Sequence, residues 1–354
     1  MIGAAFFTPR LCRPNAGAAT VATMKTSLIS IIALVAAALS SAAVAATAAS
    51  SVALEAPGPQ GPLRGTLLVP SGHSLATVLI IPGSGPTDRD GNNPLGVRGS
   101  TYRLLAEGLA AHGIGTLRID KRGLFGSASA VTDPNAVTIS DYAADAHAWM
   151  AVLQKTTGAP CIWLLGHSEG GLVAMAAAVG RRDVCGLVLV SAPGRPLGEV
   201  FREQLKTNPA NAPILPSAEA AIDALEHGRH VDTSGMHPAL QRAFNPAVQG
   251  FLIDAFSYDP RRLVSGLKTP VLVVQGQRDL QVSEQDARLI HDADPDSTLL
   301  LLPDVNHVLK VVRSDSRQEN MATYANADLP IAPDVVDDVA AFVTEHASGK
   351  GEGR

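Results

Sequence analysis

Apolar residues along this chain fall into short unbroken runs, and segments with helical spacing lie between them. Runs at 75–81, 115–119, 162–165, 185–190, 271–275 and 297–302 are rich in Val, Ile and Leu. Few polar interruptions and a length of four to seven residues suit strands buried on both faces. Helical spacing marks 102–112, closed by Gly113, then 139–153, with Ser140 placed to cap its start, and 172–179, 283–293 and 335–342. Two further β-like runs, 52–56 and 63–69, flank the turn-rich Pro57-Gly58-Pro59-Gln60-Gly61 and predict an opening hairpin. Strands alternating with helices imply βαβ crossovers and an α/β domain over 52–348, its mostly parallel sheet flanked by helices.

The alternation breaks at about 195–262. Pro209, Pro213, Pro216, Pro238 and Pro246 punctuate short helical stretches, and Phe201, Phe244, Phe251 and Phe256 fall here, four of the chain's eight phenylalanines. An aromatic-rich helical insertion between strands suits a cap over a site; the alternative is a peripheral helical excursion with its own small core.

Residues 1–45 read as something other than fold. From Met24 a single Lys25 precedes an apolar stretch at 28–39, and Ala43-Val44-Ala45 supplies a small-x-small cleavage site. We expect Met24 to be the true start, the leader to be cleaved, no stable membrane anchor to remain, and the protein to be exported, periplasmic or secreted. The net charge of −5 comes with no basic block, which argues against nucleic acid as a partner. No zinc-type Cys/His spacing occurs, and the neighbouring His227, His230 and His237 read as solvated polar positions, so no metal and no cofactor are expected. Loss of the leader leaves Cys161 and Cys185. Both lie at the N-terminal ends of strands expected to be neighbours, so a disulfide and two small buried side chains are both open.

Candidate chemistry gathers where the runs end. After the strand at 162–165 stands Gly166-His167-Ser168-Glu169-Gly170, followed at once by a helix. G-x-S-x-G between strand and helix is the setting of a nucleophile elbow, a turn tight enough to force its serine into a strained conformation. A serine hydroxyl needs a base, and the base needs a partner to fix its tautomer. Asp279 and His307 follow later strands in that order, and reactive groups in a parallel sheet collect at strand carboxyl ends. Asp304 is a rival acid, but it shares a loop with His307. The loop Pro82-Gly83-Ser84-Gly85-Pro86, which continues to Thr87-Asp88-Arg89-Asp90-Gly91-Asn92, leaves the 75–81 strand with backbone open to a ligand. A phosphate-binding loop is the rival reading, but no G-K-[ST] follows and no helix begins at once, which argues against a nucleotide. His167 should diverge from the serine and brace a loop; Asp88, Arg89, Asp120 and Arg122 should pair near the site.

With these motifs in hand the sequence resembles the α/β-hydrolase superfamily over about 52–345. PGSGPTDRDGN together with GHSEGG and a late NHVLK is similar to the bacterial acyl-carboxylesterase branch, near the serine aminopeptidases. The resemblance implies an α/β-hydrolase fold with a helical cap, and Ser168 as nucleophile, His307 as general base and then acid, and Asp279 as its orienting carboxylate. It also implies an oxyanion hole from the backbone N–H groups of Glu169 and Ser84, with Gly85 as the fallback donor. Gly85, Phe244 and Phe251 would shape a modest apolar acyl pocket for a small-molecule ester. Two other functions compete. A serine aminopeptidase would need a carboxylate to hold a free amine, for which Glu199, Glu203, Glu219 or Glu226 of the insertion could serve. A binding protein on the same fold would typically lack a triad member, and none is missing here. Oligomeric state is not legible in these features.

Overall fold

Thr77 to Ile81 form one of the most deeply buried segments of the protein, and the sheet is built outward from such runs. The computed structural model describes residues 48–348. In chain order it places β1 (Ser50–Ala56), β2 (Leu63–Val69), β3 (Ala76–Ile81), α1 (Thr101–Ala111), β4 (Ile114–Ile119), α2 (Ile139–Thr157), β5 (Ile162–His167), α3 (Glu169–Ala178) and β6 (Val184–Val190). A helical excursion then carries α4 (Leu197–Lys206), α5 (Leu215–Glu226), α6 (Pro238–Ala243), α7 (Pro246–Phe256) and α8 (Pro260–Val264). The alternation resumes with β7 (Val271–Gly276), α9 (Glu284–Ala293), β8 (Thr298–Leu302), α10 (Arg317–Ala322) and α11 (Pro333–Ser348).

All eight strands join one sheet in the order β1-β2-β4-β3-β5-β6-β7-β8. The opening hairpin is antiparallel and β2 pairs β4 antiparallel, while every neighbour pair from β4 through β3, β5, β6 and β7 to β8 is parallel. One face packs on α2 and α3 around Trp149, Leu164 and Leu187. The other packs on α1 and α11 around Leu105, Trp163 and Val339. Two apolar faces explain why the central strands read as continuous hydrophobic runs rather than alternating ones.

One local expectation changes. The cap of α2 is Thr138, not Ser140: its hydroxyl accepts from the Asp141 N–H while the Asp141 carboxylate accepts from the Thr138 N–H, a reciprocal capping box. The insertion of about 195–262 has its own small core. Phe201, Leu225, Leu240, Phe244 and Leu252 pack on one another as a third cluster, and Gln204 of α4 donates to the Gln281 carbonyl at 2.8 Å. Between β5 and β6 the register passes from Ile162↔Val184 to Trp163↔Gly186, so Cys185 is the extra residue of a bulge. It is disulfide-bonded to Cys161 with a Cα–Cα separation of 5.1 Å. No helix among the described residues is long and apolar enough to cross a membrane; the leader expected at 1–45 lies wholly outside them.

Candidate active site

Ser168 stands between the last residue of β5 and the first of α3 with φ 55° and ψ −127°, in a region that residues with a Cβ seldom occupy. The turn closes because its glycines lack side chains. A Cβ on Gly166 would lie 2.2 Å from the Gly170 carbonyl oxygen, and one on Gly170 would lie 2.2 Å from that of Ile81. Hydrogen bonds from Ser168 N–H to the Val190 carbonyl (2.9 Å) and from Gly171 N–H to the Ser168 carbonyl (2.8 Å) lock the elbow to β6 and to α3.

Asp279 and His307 reach each other from the turns after β7 and β8. His307 Nδ1 lies 2.8 Å from Asp279 Oδ2, with both side chains nearly fully buried. The other Asp279 oxygen accepts from the N–H groups of Gln281 (2.7 Å) and Val282 (3.0 Å). Burial alone pushes this carboxyl up, but the charge and hydrogen bond of His307, with those two N–H groups, overcome it and hold the pKa below the usual carboxylate range. Asp304, the rival acid, is half-exposed and turns toward Arg313.

Sequence reasoning missed how the His307 loop is held. Asn306 is fully buried; its amide donates to Thr323 Oγ1 (2.8 Å) and Asn320 Oδ1 (3.1 Å), and its Oδ1 accepts from Lys310 N–H. Asn320 in turn donates to the Arg278 carbonyl, beside Asp279 (2.7 Å). The α10 segment is thereby tied to both turns. Only the asparagine next to the histidine hinted at this.

His167 does brace a loop. Its Nδ1 lies 2.9 Å from the Tyr102 hydroxyl and its Nε2 lies 2.8 Å from the His307 carbonyl. Burial, then the proximity of His307, drives its pKa down to about 3, so the ring is neutral at neutral pH. Arg89 pairs with Asp120 as expected, whereas Arg122 turns to Asp145 and Asp141 on α2, and Asp88 caps its own loop by accepting from Asp90 and Asn92 N–H.

Ser168, His167 and His307 face one cavity of about 670 Å³. Gly83, Ser84 and Gly85 form its floor beside Ser168. Leu95 and Val97 line one wall, and Met321, Tyr324 and Ala325 line another. Ser84 N–H has no acceptor among the described residues, and Glu169 N–H, first in its helix, has no intrahelical partner. Phe244 and Phe251 are a correction: neither lines the cavity. Phe244 is fully buried against Phe201, and Phe251 packs edge-on against Tyr142. Aromatic enrichment announced burial correctly but not what would be buried. The histidines at 227, 230 and 237 hold loop and helix ends, as in His237 capping α6, and no metal-binding cluster occurs among the described residues.

A strained serine after β5, a carboxylate–histidine pair after β7 and β8, and a mostly parallel eight-stranded sheet define an α/β-hydrolase. A model of the family described as serine aminopeptidase, S33, matches residues 95–310, and the chain belongs to that family. It is 27% identical over 255 residues to esterase EstD of Thermotoga maritima, a match spanning 70% of this chain and 58% of that protein. Among solved structures, the α/β-hydrolase GrgF of Penicillium sp. sh18 is similar over 84% of this chain and 99% of its own, with TM-score 0.55 and 18% identity. The proline iminopeptidase of Mycobacterium smegmatis is similar over 84% and 100%, with TM-score 0.54 and 16% identity. At such identities the likeness is one of fold.

Proposed function

We propose that this hydrolase cleaves carboxylic esters through an acyl-enzyme. Ser168 Oγ attacks the ester carbonyl while His307 Nε2 takes its proton, and Asp279 holds Nδ1–H and stabilises the imidazolium. The N–H groups of Ser84 and Glu169 receive the developing oxyanion. His307 returns the proton to the departing alcohol, and a water activated by the same imidazole then frees the acid.

The observation that carries ester over peptide is the charge of the cavity wall. Among its described lining residues there is no Asp or Glu; the formally charged one is Arg317. A free α-amine entering an apolar site needs a carboxylate partner, and the four glutamates of the insertion do not supply one. Glu203 pairs with Arg195, Glu219 with Lys206 and Glu226 with Arg202, and Glu199 lies on α4 outside the cavity lining. The esterase activity in the name of EstD agrees with this reading.

We place the protein outside the cytoplasm, after loss of a leader ending near Ala45. The Cys161–Cys185 disulfide supports that placement, since such bonds persist chiefly in oxidising compartments.

A panel of p-nitrophenyl esters of graded acyl length, run beside aminoacyl p-nitroanilides, tests the substrate class. Ester turnover that Ser168→Ala abolishes, with anilide turnover at background, is expected. Anilide turnover exceeding ester turnover would overturn the assignment.

A further inference from the structure

The ammonium of Lys121 is buried directly behind the glycine loop, and the chemistry above gives it no part. Its Nζ donates to the Gly83 carbonyl oxygen at 2.8 Å and lies 3.6 Å from Glu169 Oε1, with both side chains almost wholly withdrawn from solvent. The Tyr142 ring covers another side, its centroid 5.3 Å from Nζ.

The Gly83 carbonyl belongs to the same peptide unit as the Ser84 N–H. In a planar trans peptide the two groups point in opposite directions, so a cation fixed on the carbonyl oxygen aims the Ser84 N–H away from Lys121. It also draws electron density toward the oxygen, making that N–H a stronger donor. On its other side Gly83 is pinned too, since its N–H donates to the Tyr102 hydroxyl at 2.9 Å. The loop lies hard against the nucleophile: a Cβ on Gly83 would fall 3.2 Å from Ser168 Cβ. The carboxylate that balances Lys121 sits on Glu169, whose own N–H is the second donor. One buried ion pair therefore touches both strands of backbone that face the reacting carbonyl.

We propose that Lys121, partnered by Glu169, is a positioning residue of the oxyanion hole that aims and polarises the Ser84 N–H. This rests on Ser84 and Glu169 being the oxyanion donors. A buried ion pair can also be a structural brace; that alternative differs in what it costs. A brace costs folding stability, whereas an aiming device costs transition-state stabilisation with substrate binding preserved.

The test measures p-nitrophenyl ester kinetics for Lys121→Met and for Lys121→Met/Glu169→Gln, which leaves no buried charge unpaired, beside wild type and Ser168→Ala. Each variant is also titrated with an alkyl trifluoromethyl ketone, which forms a tetrahedral oxyanion adduct, and with the methyl ketone of equal length, which mimics the ground state. In whichever variants show the wild-type circular dichroism, kcat should fall about 10- to 100-fold, with KM within about threefold. The trifluoromethyl ketone should weaken by a similar factor and the methyl ketone should not. A folded variant with wild-type kcat, or one altered only in KM, overturns the proposal. So does failure of both variants to fold, which would make the pair a brace. Turnover retained by Ser168→Ala would sink the ester mechanism and this proposal together. An inactive Ser168→Ala beside fully active Lys121 variants would sink this proposal alone.

Discussion

The Tyr102 hydroxyl stands 2.9 Å from His167 Nδ1, and this contact orders a chain of hydrogen bonds from the glycine loop to the loop of His307. Gly83 N–H donates to the hydroxyl, so the hydroxyl proton goes to Nδ1. His167 then carries its own proton on Nε2 and donates it to the His307 carbonyl at 2.8 Å. Both ring nitrogens of His167 are thereby occupied. Next to the nucleophile in sequence, it has no free nitrogen with which to act as the base.

A neutral buried imidazole makes stability depend on pH. His167 has a folded pKa of about 3, against about 6.5 when unfolded. Between those values the unfolded chain binds the extra proton, so stability is present above about pH 6.5 and is lost as pH falls toward 3. The loss is about 1.4 kcal/mol per pH unit. Urea unfolding at pH 6.5 and pH 5 should show a drop of roughly 2 kcal/mol from this residue, and the drop should shrink by that amount in His167→Gln. Parallel pH profiles for the two proteins would contradict this.

Asp279 accepts two backbone N–H groups besides His307, so Asp279→Asn should fold yet present His307 with the wrong donor. We expect kcat to fall on the order of 10⁴-fold, as when a triad carboxylate becomes an amide elsewhere. Steady-state ester kinetics with a wild-type unfolding curve would check it.

Substrate length should respond to α10 and not to the insertion's phenylalanines. Met321 lines the cavity, and Met321→Ala should shift the preferred acyl chain to longer esters. Phe244, fully buried in the insertion, should cost about 3–5 kcal/mol of stability when cut to Ala and leave the acyl-length profile unmoved.

Unequal parts of this arrangement were legible in the sequence. The elbow was, because its constraints are local: a strand, two glycines that cannot bear a Cβ, and a helix, all within a few residues. Asp279 and His307 were visible through their place after the last strands. The cavity wall was not. Its α10 side is a polar segment with no strong period, docked through Asn306, Asn320 and the Arg278 carbonyl, and such long-range hydrogen bonds leave no pattern along the chain. Lys121 was hidden for the same reason, its partners lying 38 residues before it at Gly83 and beyond β5 at Glu169.

The disulfide lies at the N-terminal ends of β5 and β6, whereas Ser168 follows the C-terminal end of β5. Replacing Cys161 and Cys185 with Ala should lower unfolding free energy by about 2–4 kcal/mol while kcat at 25 °C stays near the wild-type value. Denaturant curves and ester kinetics on the same preparation would show whether the two effects separate.

The central claim is that Ser168 attacks as an activated nucleophile. Incubation of the folded protein with a fluorophosphonate, followed by intact-mass and peptide mass spectrometry, reads this directly. The account predicts one adduct per chain, on the peptide carrying Gly166-His167-Ser168-Glu169-Gly170, and none in Ser168→Ala. No adduct on the folded wild-type protein, or an adduct on any other residue, would contradict it.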